Sequence, residues 1–146
     1  MFVIRPLREE DIPAAAAIEK ACFSVPWSER EIRESFENTE IYRFFAAESE
    51  GKVIGYASVS LILDEADIDN IAVLREARRT GVGRALLQAV LSCAKENGAA
   101  SAVLEVRESN LAAIRLYESS GFRQTGFRKN YYEKPDEGAR IYSRAL

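Results

Sequence analysis

Midway along this 146-residue chain the apolar pattern changes character. Residues 41–48 and 53–63 are β-rich and joined by Ser49-Glu50-Gly51-Lys52, which reads as a hairpin turn. A third β segment covers 66–74, where Ile68, Asn70 and Ala72 alternate with Asp69, Ile71 and Val73. Beyond it the order becomes glycine loop, helix, strand, helix. Leu86, Leu87, Val90, Leu91 and Ala94 share one helical face ahead of Gly98, a suitable C-cap. Ser101–Arg107 reads as a strand, and Asn110–Ser120 as a helix stopped by Gly121. Antiparallel strands that run into a β-α-β-α series bury their apolar faces best as a mixed α/β fold around one central sheet.

The remaining segments fit that frame. Residues 2–5 form a short strand, Glu9-Glu10-Asp11 an acidic turn, and Ala14–Ala17 with Ile18 a helix that reaches about Phe23. Ser28 and Glu31 make a capping box for a second helix that ends near Asn38, with Trp27 placed to staple onto Ile32. Between the two helices lies the loop Ser24-Val25-Pro26-Trp27. Residues 122–132 and 139–145 look like a closing pair of strands. No repeat, low-complexity tract or linker divides the chain, so a single domain over 1–146 is expected.

Composition narrows the chemistry. The chain has no histidine, which removes a Ser-His-Asp triad, a Cys-His pair and a histidine-ligated zinc site. Its two cysteines, Cys22 and Cys93, cannot form a metal cage unaided, and their apolar neighbours suggest buried free thiols, so no metal is expected. A formal charge of −3 gives no basic footprint for direct nucleic-acid binding. No apolar run approaches the ~18 residues needed to span a membrane, and Met1–Arg5 lacks the pattern of a signal peptide. A cytoplasmic monomer with no membrane partner is the simplest expectation.

Two places carry candidate chemistry. In Arg78-Arg79-Thr80-Gly81-Val82-Gly83-Arg84 the glycines let backbone N–H groups approach an anion at a helix N-terminus. It is not a dinucleotide fingerprint, since Leu86 stands where a third glycine belongs, and it is not a Walker loop, since Gly83 precedes Arg84. The second place is Glu105, which interrupts an otherwise apolar strand. Burial there would raise its pKa and suit it to proton transfer, whereas the plainer alternative is a salt bridge to Arg107 on the same face. Tyr117 shares a helical face with Ala113 and Leu116, the usual setting of a core aromatic, and Asn110 reads as an N-cap.

Taken together these segments resemble the GNAT superfamily of acetyl-CoA-dependent N-acetyltransferases. Arg78-x-x-Gly81-x-Gly83 matches its pyrophosphate signature. Within the superfamily the chain is most similar to the RimI-type enzymes, which acetylate the N-terminal alanine of a small-subunit ribosomal protein. That likeness is carried by Phe23-Ser-Val-Pro-Trp27-Ser28, Asn70-Ile-Ala-Val73, Leu104-Glu-Val-Arg-Glu-Ser-Asn110, Leu116-Tyr-Glu-Ser119 and Arg128-Lys-Asn-Tyr-Tyr132, and it extends over essentially the whole chain. One departure is Leu74-Arg75-Glu76, where many relatives carry Asp-Pro.

The resemblance implies a mostly antiparallel central sheet with two splayed strands, flanked by about four helices. It implies acetyl-CoA as cosubstrate, with the pantetheine arm along the backbone of Ile71, Ala72 and Val73. The pyrophosphate would lie on Arg79, Thr80, Gly81, Val82, Gly83 and Arg84, with further contacts from Asn110 and Tyr117. Glu105 takes the place of the general base and Tyr117 that of the general acid. Pro26, Trp27, Tyr131 and Tyr132 are the candidates for contact with the N-terminus of a ribosomal protein. An α-amine has a pKa near 8 against about 10.4 for lysine, so deprotonating it at neutral pH costs roughly 3 kcal/mol less. Acetylation of a lysine or a small amine is the alternative reading, and a non-catalytic acyl-CoA sensor would have no need of Glu105 and Tyr117.

Overall fold

The computed structural model describes residues 1–146. Its strands are β1 (Val3–Pro6), β2 (Tyr42–Ser49), β3 (Lys52–Ile62), β4 (Glu65–Val73), β5 (Ser101–Arg107), β6 (Arg123–Tyr132) and β7 (Glu137–Ala145). Its α-helices are α1 (Ile12–Cys22), α2 (Glu29–Glu37), α3 (Val82–Glu96) and α4 (Leu111–Ser119). The strands form one sheet in the order β1-β2-β3-β4-β5-β7-β6. At the β2–β3 turn Glu50 and Gly51 have φ of 51° and 78°, the paired left-handed conformation whose twist suits a two-residue hairpin. Each neighbouring pair is antiparallel except β4–β5, where the α3 crossover makes the strands parallel. The expected mixed sheet with four helices is therefore present, with β7 inserted between β5 and β6.

Helices cover both faces. Leu86, Leu87 and Val90 of α3 are fully buried against Ala57, Val59, Ile68 and Leu104, in a cluster that also takes Ile114 and Tyr117 of α4. On the other face, Ile12, Ala15 and Ile18 of α1 and Ile32 of α2 pack with Phe44, Tyr56 and Ala72. Trp27 packs against this second cluster, as a staple onto Ile32 would require. The capping box closes as expected: Glu31 N–H donates to Ser28 Oγ over 3.1 Å, and Ser28 N–H donates to Glu31 Oε1 over 3.0 Å.

One local expectation fails. Strict alternation would put Ile68, Asn70 and Ala72 on one face, yet Ile68 belongs to the α3-side cluster and Ala72 to the α1-side cluster. The cause is a β-bulge: Ser58 pairs with Asn70 and Val59 with Ile68, which leaves Asp69 as an extra residue in β4. Both cysteines are free, but each is partly exposed rather than buried. No helix is long and apolar enough to cross a membrane.

Leu86 is fully buried, whereas Leu63 is 95% exposed. Leu86→Ala should therefore lower unfolding free energy by about 2–5 kcal/mol in urea titrations, and Leu63→Ala should leave it within about 0.5 kcal/mol.

Candidate active site

Parallel pairing of β4 and β5 lasts for three residue pairs, Glu65↔Ser101, Ala66↔Ala102 and Asp67↔Val103. Beyond them the strands separate, and a cavity of about 840 Å³ lies along the gap. Its walls come from β4 (Asp67–Ile71), β5 (Val103–Arg107), the loop after α1, the start of α4 and the β6–β7 turn. Of the residues expected to be functional, the cavity brings together Trp27, Ile71, Glu105, Asn110, Tyr117, Tyr131 and Tyr132. Pro26, Ala72 and Val73 are outside its lining, as is the loop Arg79–Arg84.

Glu105 and Tyr117 reach the cavity from opposite faces of the sheet. Leu104 and Val106 point into the α3–α4 cluster that contains Tyr117, so the alternation of β5 sends Glu105 the other way. The Glu105 side chain is 30% exposed and has the Arg128 guanidinium 3.9 Å away. It is thus less buried than an internal strand position suggests, because the partner strand has peeled off beside it. Nor does Glu105 pair with Arg107, which turns to Glu137 at 3.0 Å. Tyr117 is 8% exposed, and burial pushes its phenol up to about 12, so it holds its proton at neutral pH. Asn110 caps α4, its side chain accepting from Ala113 N–H over 3.2 Å.

The glycine loop forms the N-terminus of α3. Gly81 is the N-cap at φ 89°, a left-handed conformation that favours glycine, and no side chain caps the helix there. Its first N–H groups are therefore left without side-chain acceptors, as an anion site requires. Thr80 Oγ1 donates to the Ala77 carbonyl and steadies the turn. Arg84 reaches Ser119 Oγ at 2.9 Å and Ser120 Oγ at 3.4 Å, which ties the loop to the end of α4. Arg78 folds back to the Val73 carbonyl at 3.0 Å, and Cys22 Sγ donates to the same oxygen over 3.4 Å.

Sequence reasoning missed a polar network on the α1 side of the cavity. Glu19 is 1% exposed, accepts from Trp27 N–H over 2.8 Å and from the Tyr56 hydroxyl, and Asn70 donates to that hydroxyl over 3.2 Å. Burial pushes the Glu19 carboxyl up, against the pull of its two hydrogen bonds. The only available signal was a carboxylate inside an apolar helix face. Asp67 and Asp69 were also missed, since alternating acids in a strand usually face solvent. Burial lifts Asp69 to about 7, opposed by its hydrogen bond from Ser60 and reinforced by the charges of Asp67 and Glu105. Burial and the neighbouring Glu65 lift Asp67 to about 6. One oxygen of each aspartate is buried and has no hydrogen-bond partner.

Asp69 makes stability depend on pH. Between its ordinary value of 3.8 and about 7, the folded chain keeps a proton that the unfolded chain has lost. Stability therefore falls as pH rises through that window. Asp69→Asn should remove this dependence: thermal melts should show the variant gaining on the wild type at pH 8 relative to pH 4, and parallel melting curves would refute it.

Comparison with known proteins is consistent with this geometry. The acetyltransferase (GNAT) family profile matches residues 12–122. The chain is 41% identical over 136 residues to the [ribosomal protein bS18]-alanine N-acetyltransferase of Escherichia coli, covering 93% of this chain and 90% of that one. It is 33% identical over 138 residues to a putative enzyme of the same name from Bacillus subtilis, covering 94% and 91%. The crystal structure of the Escherichia coli ribosomal-protein-S18-alanine N-acetyltransferase superposes with a TM-score of 0.92 at 39% identity, over 100% of this chain and 94% of that one. Ard1 from Thermoplasma volcanium superposes with a TM-score of 0.91 at 31% identity, over 99% and 97%. The chain belongs to the acetyltransferase (GNAT) family, as an acetyl-CoA-dependent N-acetyltransferase of RimI type.

Proposed function

We propose that the chain transfers acetyl from acetyl-CoA to the α-amine of an N-terminal alanine, with a small-subunit ribosomal protein as its acceptor. The observation that carries this reading is one cavity walled by Glu105, Tyr117 and the aromatic side chains of Trp27, Tyr131 and Tyr132. The Escherichia coli relative, which by its name acts on the alanine of bS18, supports the choice of acceptor. Acetyl-CoA supplies the activated thioester when bound. The uncapped N-terminus of α3, with Arg79–Arg84 around it, and the edge of β4 at Ile71–Val73 fit its pyrophosphate and pantetheine, and Asn110 lines the same cavity as Ile71.

Glu105 takes the proton that the acceptor ammonium must lose before it can attack, directly or through a water. Its carboxylate lies on the same side of the sheet as Asp67 and Asp69, so an incoming ammonium meets an acidic wall. Tyr117, neutral and proton-bearing, is on the far side of the gap, where it donates to the departing sulfur. A backbone N–H of β4 near Val73 supports charge on the carbonyl oxygen. Proton acceptor and donor are both provided without an imidazole.

Glu105→Gln and Tyr117→Phe should each lower turnover at least tenfold while acetyl-CoA binding persists by calorimetry; wild-type rates in both variants would reject these roles. Mass spectrometry after incubation with acetyl-CoA should show acetylation of a peptide that begins with free alanine. Acetylation of only an N-terminally blocked, lysine-containing peptide would reject the N-terminal reading in favour of a lysine acceptor.

A further inference from the structure

We propose that Arg107 is a positioning residue that sets the width of the acceptor cleft, by holding the α1–α2 loop and the β6–β7 turn to the strand that carries Glu105. One side of its guanidinium donates to the Pro135 carbonyl at 2.9 Å and to Glu137 Oε2 at 3.0 Å. The other side donates to Ser24 Oγ at 3.2 Å and to the Glu133 carbonyl. Its central carbon lies 4.5 Å from the centre of the Tyr132 ring, which fixes the aromatic face under it. Ser24 belongs to the loop that carries Trp27, whereas Glu133 and Pro135 belong to the turn that follows Tyr131 and Tyr132, and Glu137 opens β7 at its end. A single side chain thus touches both walls of the cleft, two residues from Glu105 and on the same face of β5.

Arg107 is suited to this and not to holding an anionic ligand. Its side chain is 22% exposed, and its charge is already matched by Glu137, itself 13% exposed. The Ser109 hydroxyl and Arg107 together hold the Glu137 carboxyl below the ordinary range, so the pair stays ionised. A planar fork can serve acceptors on two sides at once, whereas an ammonium on a flexible stem serves one place. Lysine at this position would keep the charge opposite Glu137 and release the loop.

The inference rests on the N-terminal acetyltransferase reading, and initial-rate kinetics separate the two. With the alanine-starting peptide, Arg107→Lys and Arg107→Ala should raise the acceptor KM at least tenfold, with kcat and the KM for acetyl-CoA within twofold of wild type. Adding methylguanidine should recover part of the acceptor affinity in Arg107→Ala. Ser24→Ala, which releases only the loop, should raise the acceptor KM by a smaller factor, about two to five. An unchanged acceptor KM in Arg107→Lys, or an equal fall in kcat and acetyl-CoA affinity, would overturn the proposal. If Arg107→Ala fails to fold by circular dichroism, Arg107→Lys and Ser24→Ala decide it. If the wild type leaves the alanine peptide untouched, the functional reading fails on its own, and the comparison is repeated with whichever amine the wild type acetylates.

Discussion

Three residue pairs of parallel ladder between β4 and β5 are the constraint on which the site depends. The crossover through α3 makes the two strands parallel, but their pairing stops at Asp67 and Val103. A longer ladder would fill the gap with backbone hydrogen bonds and leave no room between Ile71 and Glu105. A shorter one would break the sheet in two. The separation turns an internal sheet position into a cavity wall, and it lets Tyr117 reach through from the opposite face.

The sheet's two faces are correspondingly unlike. Toward α3 and α4 the packing is continuous and apolar, with Leu86, Leu87 and Val90 fully buried. Toward α1 and α2 the apolar cluster gives way, near the gap, to Glu19, Tyr56, Asn70, Asp67 and Asp69. The bulge at Asp69 produces this surface, because one extra residue turns both Asp69 and Asn70 toward the same side. One oxygen each of Asp67 and Asp69 is buried there without a hydrogen-bond partner, an arrangement that lowers stability.

Much of the fold was legible because local signals were strong. The capping box at Ser28 and Glu31, the hairpin at Glu50-Gly51, Gly81 ahead of α3 and the apolar face of Leu86 to Ala94 each act within a few residues. The insertion of β7 between β5 and β6 was less legible, since β-propensity names a strand without naming its neighbour. The bulge was invisible because its cause lies in how β3 and β4 register. The partner of Arg107 was invisible for the same kind of reason: Glu105 is near in sequence, but Glu137 comes close only once β7 lies alongside β5.

The family resemblance brought Tyr117 in as a candidate; residue identities alone gave the mixed α/β class, the exclusion of histidine chemistry, the glycine-capped helix and the candidacy of Glu105. The latter follow from composition and short-range pattern, which act before the chain closes on itself. The resemblance implied two splayed strands; tertiary structure alone decided that the pairing of β4 and β5 ends after three pairs, that Asp69 and Glu19 face the gap, and that Arg107 bridges the two walls of the cleft. Contacts between residues tens of positions apart, and the burial that shifts Asp69 and Tyr117, are properties of the closed sheet and are written in no single segment.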